Sequence, residues 1–259
     1  MNVYISTCNK NLNLVQPFAF LFNKFWSDEI NVFVLGYEKP SFKLPKNFNF
    51  ISIGVNDNVG NWSTDLKNYF ESIDDKYFYF TLEDMWLVDY VDIPTINKFE
   101  KFIKQDKVGR INVTRDTCTR PNIHYDYIDD KEIVEANQNA EYRISTWWSL
   151  WDKDYLLKYL TPGLTPWQFE IKGSLRAMND GHHILCMKGN RPPDNACLSN
   201  CNAVWRGDRK RFNVHNSNYE DNRHYLSENV IKEMKQNKVV ENNHKFGVVF
   251  QKNWKMLNV

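Results

Sequence analysis

The chain has few cysteines, almost no net charge and no long apolar run. Five cysteines in 259 residues are an odd number, which favours free thiols over a disulfide framework. Lys and Arg (33) nearly balance Asp and Glu (32), so the net charge of +1 lacks the basic excess that nucleic-acid binding needs. No stretch approaches the ~20 apolar residues of a membrane-spanning helix, and the N-terminus does not resemble a signal peptide. We therefore expect a cytoplasmic protein with no transmembrane segment and no nucleic-acid partner.

Several familiar catalytic motifs are also missing. The chain has no G-x-G-x-x-G, no P-loop Gly-Lys-Ser/Thr and no G-x-S-x-G. This argues against dinucleotide oxidoreductases, P-loop kinases and α/β-hydrolases. His182-His183 and Cys197-x3-Cys201 lack the second pair that a structural zinc site requires.

Short apolar runs alternate with amphipathic segments, the pattern of βα units around a parallel sheet. Tyr77 to Leu82 is apolar at nearly every position, as in a strand covered on both faces. We predict one α/β domain over residues 1–259, with a mostly parallel central sheet flanked by helices and a short antiparallel part. The predicted strands are 3–7, 31–36, 48–53, 76–82, 107–113, 143–151 and 182–188; the helices are 14–26, 63–73, 93–103, 154–160, 165–179 and 227–236. Residues 114–139 are expected to form loops and a small hairpin, and residues 189–222 a loop-rich stretch.

The predicted Tyr77–Leu82 strand ends in two acids, Glu83 and Asp84. Open α/β sheets bind ligands at the carboxyl ends of their strands. Two carboxylates there must be solvated, paired or bound to a cation, because uncompensated burial is costly. A divalent ion bridging a carboxylate and a diphosphate would fit this position, and a solvated strand end is the alternative.

Trp167 and Glu170 are three residues apart on a predicted helix and therefore project from the same face. An apolar wall beside a carboxylate raises its pKa and favours general-base chemistry. The alternative is a buried Trp beside a surface Glu. Arg176 follows as a candidate pyrophosphate contact, with an ordinary surface arginine as the alternative.

Two polar segments are expected at the same edge of the sheet. The first, Ser6 to Asn9, ends the first strand. The second, Asn56 to Ser63, precedes a helix that Ser63 is predicted to cap, and helix N-termini favour anions. Both segments are candidates for contact with a nucleotide.

Four segments, taken in order, resemble a group of small GT-A-type glycosyltransferases, known largely from bacterial surface-polysaccharide loci and from viruses. The resemblance covers roughly residues 1–210. Its segments are Asn61-Trp62-Ser63-x-x-Leu66, Tyr77 to Trp86, Ser149 to Leu157, and Pro166 to Glu170 with Gly173-Ser174.

The resemblance implies transfer of a sugar from a nucleotide-sugar donor to a hydroxyl acceptor in glycan or surface-polysaccharide synthesis. Residues 1–113 would bind the donor, residues 140–259 would form the acceptor side, and a viral member would act in the host cytoplasm. Glu170 would be the catalytic base, and Asp84 the acid that contacts metal or ribose. The predicted donor-binding residues are Thr7, Asn58, Asn61, Trp62, Ser63, Glu83 and Arg176; the predicted sugar-stacking residues are Trp86, Trp148 and Trp167.

The acidic pair departs from the group's pattern. Members more often carry Leu-Asp-Asp or Asp-x-Asp, whereas this chain has Glu83-Asp84, and Met85 interrupts an Asp-x-Asp. Two ways of stabilising a leaving diphosphate therefore stay open: Mn²⁺ or Mg²⁺ held at Asp84, or Arg and Lys side chains. In either case we expect a single in-line displacement with inversion at the anomeric carbon.

Two other classes remain. A non-catalytic nucleotide- or carbohydrate-binding relative would keep the fold without turnover, because fold does not determine function. A nucleotidyltransferase usually carries a Gly-rich first loop, and Cys8-Asn9-Lys10-Asn11 is not one.

Overall fold

The computed structural model describes residues 1–55, 57–114, 124–127, 130–187, 200–202 and 226–239. Nine strands form one sheet in the order β3-β2-β1-β4-β9-β6-β10-β8-β7, and β5 pairs with β11 apart from it. The strands are β1 (Val3–Ser6), β2 (Val32–Gly36), β3 (Phe48–Ser52), β4 (Tyr77–Leu82), β5 (Met85–Leu87), β6 (Val108–Asn112), β7 (His124–Tyr127), β8 (Asp130–Ala136), β9 (Ser149–Asp152), β10 (His183–Met187) and β11 (Asn200–Asn202).

The sheet has a parallel and a mixed part. β3, β2, β1 and β4 are parallel neighbours, so their carboxyl ends share one edge. β9 then runs antiparallel between β4 and β6, β10 is parallel to β6, and β8 and β7 are antiparallel. The predicted α/β class, with a central sheet, flanking helices and an antiparallel part, is confirmed.

Helices cover both faces of the sheet. α1, α3 and α6 pack on one face, and α2, α4 and α5 on the other. β4 contributes Phe78 and Phe80 to one core and Tyr79 to the other, which explains its nearly continuous apolar sequence. The helices are α1 (Val15–Phe25), α2 (Trp62–Glu71), α3 (Ile93–Phe102), α4 (Lys153–Tyr159), α5 (Pro166–Arg176) and α6 (Glu228–Gln236).

The predicted strand over residues 143–151 is largely wrong, because β9 begins only at Ser149. The preceding residues are held by side-chain contacts with other elements. The Arg143 guanidinium donates to the carbonyls of Ala177 and His182 and forms an ion pair with Asp180. These long-range partners replace a strand ladder at this position.

The two helices that bear predicted site residues differ from their predicted bounds. α2 begins at Trp62 after a short 3₁₀ turn, Val59–Asn61, and Ser63 does not cap it. α5 begins with the predicted capping box, in which Thr165 and Gln168 bond each other's backbone N–H. It ends at Arg176, before the predicted 179.

Part of the prediction falls outside the described residues: position 56, most of residues 115–129, and the loop-rich stretch 189–222 apart from 200–202. None of the helices in the described ranges has both the length and the apolar character needed to cross a bilayer.

Candidate functional site

The turn after β4 lies beside the end of β1. The Glu83 N–H donates to the Ser6 carbonyl at 3.2 Å, which continues the β1–β4 pairing one residue past the strand. Thr7 follows Ser6, and its N–H donates to the Leu35 carbonyl at 2.8 Å. Glu83, Asp84 and Thr7 therefore lie at the carboxyl edge of the parallel strands, where an α/β sheet binds ligands.

Asp84 is held in the turn with an incomplete set of partners. Its Oδ1 is buried and has no hydrogen-bond partner among the described residues. The pKa of Asp84 is raised to about 7, chiefly by burial; a hydrogen bond from the Asp84 backbone opposes this rise, and the charge of Glu170 adds to it. A buried carboxyl oxygen without a partner marks a place where a ligand, water or ion supplies the missing contact.

Glu170 lies near Asp84 and is fixed by the segment before β9. Its Oε1 accepts hydrogen bonds from the Thr146 N–H at 2.7 Å, and from the Ser145 and Thr146 hydroxyls at 2.9 Å each. Among the described residues, none donates to Oε2. Glu170 is only 8% exposed, so these three donors compensate the cost of burying its carboxylate.

The solvent exposures of Trp167 and Glu170 are the reverse of a buried Trp beside a surface Glu, the alternative considered from the sequence. Trp167 is 62% exposed, and Glu170 is buried. The two side chains share one side of α5, so Trp167 stands at the solvent border of the carboxylate site. The alternative of a buried Trp beside a surface Glu is therefore wrong.

A polar rim joins the ends of β1 and β2 to the loop before α2. The Asn9 N–H donates to Asp57 Oδ2 at 2.7 Å, and the Asn9 amide donates to Glu38 Oε1 at 2.7 Å. Tyr37 donates to Asp65 Oδ2 at 3.0 Å. The two segments predicted to meet at this edge are thus bonded to each other, and we call these five residues the polar rim.

Glu83 lies on the rim side of the turn. The pKa of the neighbouring Cys8 thiol is raised to about 11, mainly by burial and secondly by the negative charge of Glu83. Cys8 is a free thiol. The charges of the two adjacent acids therefore affect different groups: Glu83 affects Cys8 after β1, and Asp84 interacts with Glu170 on α5.

Trp62 and Ser63, predicted to bind the donor, are structural. The Trp62 indole donates to Ser6 Oγ at 2.9 Å, and its ring packs edge-on against Phe169. The Ser63 hydroxyl donates to the Thr161 carbonyl at 2.6 Å and accepts from the Leu164 N–H at 2.7 Å. Both residues are buried, and these contacts attach α2 to the segment that leads into α5.

Trp86 and Trp148 do not offer ring faces for sugar stacking. Trp148 is 0% exposed, stacks on Phe18 with centroids 5.7 Å apart, and donates to the Met85 carbonyl at 2.8 Å. Trp86 is 1% exposed in β5, so it too belongs to the core. Of the three predicted stacking residues, Trp167 alone has an accessible ring.

Arg176 does not reach the strand ends. Its guanidinium bonds Thr161 Oγ1 and the Lys158 carbonyl, and it lies 5.6 Å from the centroid of the Tyr159 ring. These contacts direct it toward α4, so a pyrophosphate contact would require the side chain to leave them.

The remaining predicted donor residues lie at the rim. Asn58 is exposed, and its side chain accepts from the Gly60 N–H at 3.0 Å, which closes the turn before α2. Asn61 is exposed and precedes α2 without capping it. Thr7 is 4% exposed, so it lies beneath the exposed residues at this edge of the sheet.

Sequence reasoning missed the residues that hold Glu170. Ser145 and Thr146 fall inside the stretch predicted as a strand. Two residues of the polar rim, Tyr37 and Glu38, were also missed, because they follow β2 without any motif. The available signal for the first pair was two hydroxyl residues next to two tryptophans, Trp147 and Trp148, in a segment that was otherwise taken as apolar.

A divalent cation at Asp84 would take most of its coordinating atoms from a bound substrate and water. Among the described residues, no group of three His, Cys, Asp or Glu side chains is arranged to hold a metal ion. Mg²⁺ is commonly bound through one or two carboxylates plus substrate phosphates and water. The partnerless Oδ1 of Asp84 fits such a cation as a single protein ligand.

Comparison with known proteins gives similarity to solved structures only. Neither a protein-family model nor a curated protein matches the chain. The fold is similar to the crystal structure of S. aureus TarS 1–349, with 11% identity and a TM-score of 0.45 over 72% of this chain. It is also similar to the mannosyltransferase PcManGT from Pyrobaculum calidifontis in complex with GDP-Man and Mn²⁺, with 11% identity and a TM-score of 0.43 over 75% of this chain. This chain spans 58% of each of those chains.

Proposed function

We propose that the protein transfers a sugar from a nucleotide-sugar donor to a hydroxyl acceptor. The observation that carries this proposal is the pair of carboxyls, Asp84 and Glu170, near each other at the carboxyl edge of the sheet, with Asp84 Oδ1 lacking a partner. One side of this pair continues into the polar rim, and the other into the exposed Trp167. A donor on the rim side and an acceptor on the α5 side would meet at the pair.

Glu170 is the proposed general base. Its Oε1 is occupied by three donors, which leaves Oε2 to accept the proton of the acceptor hydroxyl. As that proton moves, the acceptor oxygen forms a bond to the anomeric carbon, and the bond from that carbon to the diphosphate oxygen breaks. The nucleoside diphosphate leaves with the bonding electron pair, and the configuration at the anomeric carbon is inverted.

The donor is proposed to lie along the polar rim with its diphosphate near Asp84. Asp57 and Glu38 carry acceptor oxygens suited to ribose hydroxyls or base N–H groups, and Thr7, Asn58, Asn61 and Glu83 lie on the same edge. A Mn²⁺ or Mg²⁺ bound by Asp84 and the diphosphate would neutralise charge on the leaving group. Cation binding would also favour ionised Asp84 over its protonated form.

Trp167 is the proposed acceptor-side aromatic residue. It is exposed and lies one turn before Glu170, so a sugar ring stacked on the indole would sit beside the base.

A direct test combines turnover with a base variant. Purified protein would be incubated with UDP, GDP, CDP and dTDP sugars, with Mn²⁺, Mg²⁺ or EDTA, and release of nucleoside diphosphate measured. We expect one nucleotide class to be turned over, and Glu170→Gln to lower kcat by roughly 100-fold or more. The exposed Glu141→Gln is the matched control. Full activity of Glu170→Gln would show that the base is wrongly assigned.

The three hydrogen bonds to Glu170 Oε1 also favour a second candidate, a non-catalytic nucleotide-binding relative. In that case Glu170 would serve only to join α5 to the segment before β9. Nucleotide-dependent stabilisation without turnover of any of the four donor classes would support this alternative.

A further inference from the structure

α5 presents a line of three exposed apolar side chains. Trp167, Ile171 and Leu175 are 62%, 54% and 60% exposed, and we call them the α5 stripe. Successive members are four residues apart, so each is rotated by only ~40° from the last, and the line is about 12 Å long. Phe169, on the other face, already packs α5 against the core. The stripe is therefore not needed to hold the helix in place.

A cationic border runs along one side of the stripe. Lys172 and Arg176 are exposed and follow Ile171 and Leu175 directly in sequence. Lys158, at 46% side-chain exposure, lies next to Arg176, which bonds its carbonyl, and its Nζ pairs with Asp180 Oδ2 at 3.8 Å. Lys172 has no ion-pair partner among the described residues. The acids nearby, Glu170 and Asp180, have side chains that are mostly shielded from solvent. The exposed charge that α5 itself carries beside the stripe, on Lys172 and Arg176, is therefore positive.

We propose that the α5 stripe and its cationic border bind the surface of a bilayer that contains anionic lipids. Helices that lie in the membrane interface combine an apolar line, often with Trp, with Lys and Arg beside it. Ile171 and Leu175 would enter the boundary between headgroups and acyl chains. Lys172 and Arg176 would contact anionic headgroups.

The charge pattern favours a lipid surface over other occupants. A single sugar stacked on Trp167 would leave Ile171 and Leu175, one and two turns further along, uncovered. A second copy of the chain would place the same cations against each other across a symmetric contact, which is unfavourable. An anionic bilayer satisfies both the apolar and the cationic residues. Because Trp167 also borders Glu170, bilayer binding would hold the carboxylate site close to the membrane surface.

Vesicle co-sedimentation of the full chain tests the proposal without relying on sugar transfer. Vesicles of phosphatidylcholine alone would be compared with phosphatidylcholine mixed with phosphatidylglycerol. We expect binding to the anionic vesicles that weakens as salt increases. Ile171→Ser with Leu175→Ser should lower the partition coefficient at least about tenfold, since both apolar side chains are removed from the interface. Lys172→Gln should lower it about fivefold, on anionic vesicles only.

Tyr90→Ser with Ile93→Ser is the matched control, because these residues are 70% and 43% exposed on a different element. This control should bind vesicles like the parent chain, and the melting temperature of each variant would verify its folding. Unchanged vesicle binding by the Ile171/Leu175 variant would overturn the proposal. So would failure of the parent chain to bind anionic vesicles at low salt. Concentration-dependent dimers that this variant abolishes, without vesicle binding, would instead assign the stripe to a second copy.

Discussion

On the β1 side of the turn after β4, Glu83 adjoins a rim of exposed loop atoms, whereas on the α5 side Glu170 and the Oδ1 atom of Asp84 are buried. The rim is joined by bonds such as Asn9 to Asp57, which water can replace. Glu170 is held by three donors that water does not reach. Under the proposed function, this difference corresponds to a preorganised base on the α5 side and an adaptable rim that binds the donor.

The largest expected effect comes from removing the buried charge of Asp84. Its folded-state pKa is raised from 3.8 to about 7, so the folded protein holds a proton that the unfolded chain releases. Stability should therefore fall as pH rises from about 4 to about 7. Asp84→Asn should remove this slope in EDTA and be more stable than the parent at pH 8 by about 1–4 kcal/mol.

The same variant should lose transfer activity by about 100-fold if Asp84 organises the leaving diphosphate. Thermal melting from pH 4 to 8 and a donor-turnover assay measure the two effects, with the exposed Asp89→Asn as control. Equal pH slopes for parent and Asp84→Asn would show that this carboxyl is not buried as described.

Ser63→Ala separates structural from ligand-binding roles near the rim. The hydroxyl both donates to Thr161 and accepts from Leu164, so its loss should cost about 1–3 kcal/mol of unfolding free energy. The Michaelis constant for the donor should stay within about twofold at temperatures where the variant is folded. Ser72→Ala, at the exposed end of α2, should cost about 0.5 kcal/mol or less. A weakened donor affinity at unchanged stability would restore the donor role that the sequence predicted.

Asp57→Ala tests the role of the polar rim in donor binding. Loss of the Asn9 contact should loosen the loop before α2 and raise the donor Michaelis constant about three- to tenfold, with little change in kcat. Asp28→Ala, also exposed, is the control. A large fall in kcat with an unchanged Michaelis constant would place Asp57 in the chemical step and remove the distinction between the two sides.

The sequence predicted the parallel part of the sheet better than the site. β4 was recognisable because both its faces are buried, and the start of α5 because its capping box is local. Ser63 looked like a local helix cap, but partners about 100 residues away bind its hydroxyl. Composition likewise does not distinguish a core tryptophan such as Trp148 from the exposed Trp167. Glu170 was found through its spacing and the resemblance, whereas Ser145 and Thr146 are visible only in three dimensions.

The smallest expected effect is that of Arg176→Gln. The guanidinium contacts Thr161, Lys158 and the Tyr159 ring at an exposed position, so its loss should cost roughly 0–1 kcal/mol of stability. Because these contacts turn Arg176 toward α4, the donor Michaelis constant should change less than about twofold, as measured by titrating the donor in the turnover assay. A tenfold increase would mean that the side chain moves to the diphosphate when donor binds. The α5 side would then be adaptable as well, and the contrast between preorganised and adaptable sides would apply only to Glu170.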